Sequence, residues 1–331
     1  MMRRSATPLR PIALRIRGRT RIVQLKLEGA NRCGSLKDRT AESLVDNLEQ
    51  RGRLERDSVL VESTSGNLGI ALAWLARRRG YRFVAVIDPK TTPENVTRLR
   101  RLRARVELVD TPDATGGYLL ARIKRVRELC ASSPRFVWPD QYANPANPRA
   151  HEHGTAPELL AQVRSELDAV VVPVSTGGTL AGIGRFFRRE SPSTQVIAVD
   201  AHGSVALGGR PGPRLLTGIG AGKRSSFAAP DLYDETVLVG DTEAFAYCHA
   251  LAASTGIAVG GSSGAALAAC ARVLARKPDL ERVACICPDG GQSYRSTIYS
   301  DRWLARNGIH LWPSELGRLD GIEPIAAVVP A

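Results

Sequence analysis

The chain has 331 residues, 43% of them hydrophobic, and 46 basic against 33 acidic side chains give a formal charge of +13. That length supports a large core and a division into two domains, and the absence of any run of about 18 apolar residues argues against a transmembrane helix. Six scattered cysteines fit neither a small disulfide scaffold nor a zinc framework, and with aromatic residues at 5% the basic balance reads as arginine-rich usage, with no specific nucleic acid and no membrane as partner.

Seven arginines precede the first acid, Glu28, but Pro8 and Pro11 interrupt them, so the opening reads as an irregular arm without the apolar centre of a secretory signal. Residues 21–27 alternate, with Ile22, Gln24 and Lys26 opposite Val23, Leu25 and Leu27, which predicts a strand with one drier face. Asn31-Arg32-Cys33-Gly34-Ser35-Leu36-Lys37-Asp38-Arg39 follows, and Ala41, Leu44, Val45 and Leu48 make a helical stripe over about 40–50. Lys37 therefore stands just before or at the start of a helix, as a chemical lysine or as a solvated first-turn residue.

A strand at Val59-Leu60-Val61-Glu62 leads into Ser63-Thr64-Ser65-Gly66-Asn67-Leu68-Gly69 and a helix pattern. Strand, polar turn and helix bring successive backbone donors toward an anion, although Ser65 and Asn67 serve equally well as local caps. Further strand–helix units are predicted at 81–87 with 93–103, and at 106–109 with 114–130. They argue for a covered parallel sheet with helical returns. Glu94 and Arg98, four residues apart, read as a surface pair. The turn-rich Asp140–Pro148 reads as a connection between domains. His151 and His153 read as polar surface there, and no metal site is expected.

The apolar run 168–174, ended by Pro173, predicts a buried strand running into Ser175-Thr176-Gly177-Gly178-Thr179. Two glycines, three hydroxyls and a helix start make that turn a phosphate cradle. A strand at 195–199, a loop at Thr217-Gly218-Ile219-Gly220-Ala221-Gly222 and a helix over 241–254 come next. Gly260-Gly261-Ser262-Ser263-Gly264 then opens a helix of small residues, and a strand at 282–287 turns Cys285 and Cys287 to one side as ordinary core thiols. Asp289 reads as a loop organiser, and the segment beyond Trp312 as irregular. Reduced core thiols imply a reducing compartment, so the protein is expected in the cytoplasm.

Taken together, the segments around Lys37, Asn67, Ser175–Thr179 and Ser262 resemble the pyridoxal-phosphate enzymes of the cysteine synthase family, the tryptophan synthase beta fold or fold type II, over roughly residues 18–303. The resemblance implies an α/β protein of two three-layer domains with largely parallel central sheets. It divides the chain into an N-terminal arm and strand at 1–35 crossing to the large domain, a small substrate-binding domain at 36–145, a large cofactor-binding domain at 146–312, and a tail at 313–331. By the same resemblance Lys37 carries pyridoxal 5'-phosphate as a Schiff base and moves the alpha proton. Asn67 meets the ring oxygen, Ser175, Thr176, Gly177, Gly178 and Thr179 hold the phosphate, and Ser262 meets the ring nitrogen. Thr64, Ser65, Gly66 and Asn67 take the substrate carboxylate, with Gln141 and Gly220 also on the substrate side.

Departures from the usual cysteine synthase wording point to one branch of the family. They are Glu62-Ser63 before the Thr-Ser-Gly-Asn loop, Leu68 after Asn67, Arg32 after Asn31, and Lys223-Arg224 after the Gly-Ile-Gly-Ala-Gly loop. In this respect the chain resembles enzymes that combine O-phospho-L-serine with L-glutamate into N-(2-amino-2-carboxyethyl)-L-glutamate and phosphate, a step toward L-2,3-diaminopropionate in siderophore or antibiotic biosynthesis. Lys223 or Arg224 either holds the donor's phosphate or is an ordinary solvated loop charge. Cysteine synthesis from O-acetyl-L-serine or O-phospho-L-serine with sulfide is the alternative, and a catalytically inactive regulatory or binding homologue a more remote one. The resemblance also implies a homodimer.

Overall fold

A computed structural model describes residues 5–113, 117–163, 166–317 and 319–325. In chain order its strands are β1 Leu9–Ile16, β2 Arg19–Leu27, β3 Val59–Ser63, β4 Arg82–Ile87, β5 Arg105–Leu108, β6 Phe136–Val137, β7 Ala169–Pro173, β8 Gln195–Ala201, β9 Glu235–Val239, β10 Val283–Cys287 and β11 Leu319–Pro324. The helices are α1 Lys37–Gln50, α2 Asn67–Arg79, α3 Pro93–Arg101, α4 Leu119–Ser132, α5 Ala146–Ala150, α6 Ala156–Val163, α7 Gly178–Glu190, α8 Asp241–Thr255, α9 Gly261–Arg276 and α10 Asp301–Arg306.

Two sheets result. The smaller has order β5-β4-β3-β6 and is wholly parallel; the larger has order β11-β1-β2-β10-β7-β8-β9, parallel from β2 to β9 and antiparallel at the β11-β1-β2 edge. Strand residues alternate between the two faces, and each face is covered by helices, which is why these strands are apolar on both sides. In the small sheet Leu60, Phe83, Ala85 and Ile87 pack against α1, α2 and α3, while Val59, Val61, Val84 and Val86 pack against α4. In the large sheet Leu25, Val171, Val199 and Cys285 meet α8 and α9, whereas Val172, Val196, Ala198 and Ile286 meet α6 and α7. The architecture is therefore α/β with two three-layer units and largely parallel sheets.

Several sequence expectations need correction. The opening residues make β1 despite Pro11, because the segment pairs with β2 on one side and β11 on the other. Residues 319–324, expected to be irregular, are the strand that covers that edge. Residues 146–148, read as the end of the connection, begin α5, which a wide turn at His151–Thr155 joins to α6. Strand β9 and helix α10 had no clear signal in the chain. Ala114, expected to begin a helix, lies outside the described residues. Pro173 does end its strand, where the missing amide is tolerated inside a sheet.

Lys26 was expected on the wetter face of β2 and is instead completely buried. Its ammonium pairs with Glu158 and donates to the Thr7 carbonyl at 2.8 Å and to Gln162 Oε1 at 2.6 Å. Buried charge of this sort survives only when paired. His151 is likewise fully buried, with Thr40 Oγ1 at 3.1 Å, Thr155 Oγ1 at 3.0 Å and Thr179 Oγ1 at 3.4 Å from its ring nitrogens. In place of a surface pair with Glu94, Arg98 donates to the Cys33 carbonyl at 2.7 Å and to Ser293 Oγ at 3.1 Å. Among the described residues no helix is long and apolar enough to cross a membrane.

Candidate active site

Parallel sheets gather loops at the carboxyl ends of their strands, and ligands of such folds bind there. Here β2 leads to α1 and Lys37, β3 to the loop before Asn67, β7 to Ser175–Gly178, and β10 to Pro288–Gly291. Short backbone bonds lock two of these together. Leu36 N–H donates to the Pro288 carbonyl at 2.8 Å, Gly290 N–H to the Gly34 carbonyl at 3.3 Å, and Ser35 bridges Asp289. A side chain on Gly29 could not coexist with this seam, since its Cβ would fall 2.6 Å from the Gly290 nitrogen.

Lys37 is the first residue of α1. Burial lowers its ammonium pKa to about 8, while the Asp289 carboxylate opposes the shift. Desolvation disfavours the charged form of a lysine, so this amine reaches its reactive neutral form far more readily than a surface one. Asn67, first in α2, donates its amide to Asp289 Oδ2 at 2.6 Å. Thr64 is buried and accepts the Gly69 N–H at 3.0 Å, so it shapes the turn beside Ser65 and Gly66. Gln141 donates to the Ser63 carbonyl at 3.0 Å and its backbone N–H to Glu62 at 3.2 Å, which seats it against the same loop.

The Ser175–Thr179 turn is built for close approach. Gly177 has φ of +87°, and a Cβ there would fall 2.0 Å from Ser225 Oγ; one on Gly178 would fall 2.2 Å from Asn147 Oδ1. Only glycine fits either place, and the consequence is a string of amides at the start of α7 unobstructed by side chains. Ser175 donates to the Gly220 carbonyl at 3.2 Å, and Gly220 N–H to the Val174 carbonyl at 2.7 Å. The 217–222 loop is thereby fastened to the cradle. Ser262 Oγ, near the start of α9, is fully buried and has no hydrogen-bond partner. A buried hydroxyl without a partner is costly and fits a ring nitrogen supplied by a ligand. Lys37, the glycine cradle and this hydroxyl together fit pyridoxal phosphate.

Other residues belong to this region but carried little sequence signal as site residues. Asn147 joins the Gln141 carbonyl at 2.7 Å to Thr176 Oγ1 at 3.1 Å, and its Oδ1 is buried without a partner. Burial pushes the Tyr142 hydroxyl up to about 12, with Arg122 pulling against it. Arg122 is buried on α4, 3.3 Å from Asp88, and its Nε and Nη1 have no hydrogen-bond acceptor. Arg214, against Gly220, also interacts with Tyr142, and burial lowers its pKa. Lys223 and Arg224 are exposed on the adjoining loop, and Lys223 acts on Asp140. Position next to Gln141 was the available signal for Tyr142; Arg122 was hidden among 46 basic residues.

A lysine at a helix start, facing a glycine phosphate cradle across the ends of parallel strands, defines a class of pyridoxal-phosphate enzyme. The chain belongs to the pyridoxal-phosphate dependent enzyme family, whose model matches residues 3–289, and its cofactor is pyridoxal phosphate. Among particular relatives, it is 44% identical over 300 residues to the N-(2-amino-2-carboxyethyl)-L-glutamate synthase of Ralstonia nicotianae, covering 91% of this chain and 89% of that one. The protein of the same name from Cupriavidus metallidurans is 41% identical over 309 residues, covering 92% and 90%. The crystal structure of the O-acetylserine dependent cystathionine beta-synthase of Helicobacter pylori matches with a TM-score of 0.81 at 32% identity, over 89% of this chain and 96% of that one.

Proposed function

We propose that the protein joins O-phospho-L-serine and L-glutamate to give N-(2-amino-2-carboxyethyl)-L-glutamate and phosphate, a step toward L-2,3-diaminopropionate. The observation that carries this choice is the likeness to two synthases of that name over about nine-tenths of the chain. Arg122 and Arg214 both act electrostatically on Tyr142, the neighbour of Gln141, and positive charge in this region supports it. A guanidinium with an open donor, as Arg122 has at Nη1, suits a phosphate or carboxylate. Lys223 and Arg224 add positive charge on the exposed side of the same loop system.

In this reading Lys37 holds the cofactor, Ser175–Thr179 take its phosphate, Ser262 the ring nitrogen and Asn67 the ring oxygen. The bound cofactor supplies an electron sink for charge developed at the substrate's alpha carbon. Thr64, Ser65, Gly66 and Asn67 receive the amino-acid carboxylate. The Lys37 amine removes the alpha proton, the bond from the beta carbon to the phosphate oxygen breaks, the glutamate nitrogen bonds to that carbon with loss of its own proton, and the Lys37 ammonium returns a proton to the alpha carbon. Arg122 neutralises the departing phosphate. The same reading makes the working enzyme a cytoplasmic homodimer.

A donor-by-nucleophile assay tests this directly, pairing phosphoserine with glutamate and, separately, phosphoserine or acetylserine with sulfide. Phosphoserine with glutamate is expected to turn over fastest. Arg122→Gln should raise KM for phosphoserine about tenfold or more, the worth of one charge-assisted hydrogen bond, and change acetylserine use far less. A faster sulfide reaction from acetylserine would instead make the protein a cysteine synthase.

A further inference from the structure

Asp289 is a buried acid that the sequence marks only as a loop organiser, and the chain goes to some length to hold it. The seam between residues 34–36 and 288–290 sets Asp289 beside the backbone of the residues that introduce Lys37. Two donors converge on its Oδ2, the Tyr294 hydroxyl at 2.6 Å and the Asn67 amide at 2.6 Å. Its Oδ1 is buried without a hydrogen-bond partner and lies so close over Gly260 that a Cβ there would be 2.2 Å away. Two hydrogen bonds donated to one oxygen describe an acceptor, which a carboxylate is in full and a carboxylic acid only in part.

We propose that Asp289 is a positioning residue for the Lys37 amine, held by Tyr294 and Asn67 as the counter-charge to the ammonium that forms there. When the lysine nitrogen takes the substrate's alpha proton, one C–H bond breaks, one N–H bond forms, and the amine gains a positive charge. An anion already fixed where it acts on that nitrogen stabilises the charge without reorganising. The groups facing Asp289 leave that role to it alone. They are Lys37 from α1, Asn67 from α2, Cys248 from α8, Cys287 from β10, and Tyr294 and Tyr299 from the following loop. Burial raises the Cys248 thiol and both phenols, so near neutral pH these three are uncharged, leaving Lys37 and Asp289 as the opposite charges that act on each other here. The Cys287 thiol is also raised and uncharged, first by the hydrogen bond it donates to Cys285 and then by burial.

Asp289 itself is pushed up by burial, and Tyr294, Asn67 and Lys37 draw it back. Loss of the Tyr294 hydroxyl therefore weakens the carboxylate without removing it. This gives a graded pair of variants. The proposal rests on Lys37 as the reacting amine but not on the choice of donor or nucleophile.

The test uses the full-length chain with its cofactor stripped by hydroxylamine, and measures acetylation of Lys37 by acetic anhydride across pH, read by mass spectrometry. In Asp289→Asn the labelling midpoint should fall by about one pH unit, and in Tyr294→Phe by a smaller amount in the same direction. In the reconstituted holoenzyme the acidic limb of kcat should move down with it, while KM for the donor changes less than threefold. Unmoved midpoints in both variants overturn the proposal. Should Asp289→Asn fail to fold, the Tyr294→Phe midpoint alone decides. Because labelling consumes no substrate, a failed phosphoserine–glutamate assay leaves this result standing.

Discussion

At the residue scale, reactivity and stability pull Lys37 in opposite directions. Its folded pKa of about 8 lies below the value of an exposed lysine, so the fold disfavours the charged form. Below that pH the cofactor-free protein carries an ammonium in a site that penalises it, and the penalty is relieved as pH rises through about 8 toward the unfolded value near 10.5. Lys37→Met should therefore stabilise the cofactor-free protein at pH 7 by roughly 1–3 kcal/mol, while abolishing turnover. Urea unfolding at pH 7 and pH 10 measures this, and the gain should shrink at the higher pH. A variant no more stable than the parent at pH 7 would mean that the lysine is well solvated. Individual residues were legible in the chain where a local pattern marked them. Lys37, Asn67 and the 175–179 turn each sit at a strand-to-helix transition rich in glycine or hydroxyls, and Ser262 lies in a glycine- and serine-rich turn that opens α9. Arg122 and Tyr142 lack such a pattern, since their neighbourhood exists only after distant segments meet.

At the element scale, α1 must be held still if Lys37, with which it begins, is the reacting amine proposed above. The hold is ionic. Arg39 donates to Glu28 Oε2 at 2.8 Å and Oε1 at 2.9 Å, and to Glu158 Oε1 at 2.8 Å and Oε2 at 2.9 Å. Asn31 adds a donor to Glu28 Oε2 at 2.7 Å. Through Glu158 on α6 and Lys26 on β2, the start of α1 is tied to the large sheet. Burial would push the Glu158 carboxyl up, but Arg39 and Lys26 outweigh it and hold the group down at about 2. A depressed carboxyl contributes stability above its unfolded pKa near 4.5 and loses it as pH falls through about 2. Glu158→Gln should cost roughly 3 kcal/mol at pH 7 and flatten the fall in stability between pH 4.5 and 2. Acid-dependent unfolding followed by circular dichroism measures both effects, and an unchanged acid slope would exclude Glu158 as the titrating anchor. The sequence pattern placed α1 correctly and yet misread Lys26, because alternation along a strand tells which residues share a face, and not whether an acid from a later helix will cover them.

At the scale of the whole molecule, the parallel sheets were legible because repeated strand–helix units leave few other ways to bury both faces of an apolar strand. The antiparallel edge was not. β1 contains a proline and arginines, β11 has only six residues, and each is a strand because the other and β2 supply its partners. The contacts between the sheets were hidden for the same reason, since they are polar and made by single side chains. Arg98 on α3, packed against the small sheet, reaches both Cys33 ahead of Lys37 and Ser293 in the loop after β10. Ser226 donates across the same crevice to the Tyr142 carbonyl at 2.6 Å. Neither sheet's core depends on these bonds, so cutting one should loosen the crevice and leave the layers intact. Arg98→Ala is expected to raise amide hydrogen exchange in 33–36 and 288–294 about tenfold or more, and to lower global stability by only about 1–2 kcal/mol. Lysine should not rescue it, because one ammonium cannot reach two acceptors with the guanidinium's fork. Exchange measured by mass spectrometry separates the outcomes. If protection in both segments were unaltered, the crevice would be held without Arg98, whose two partners would then be incidental.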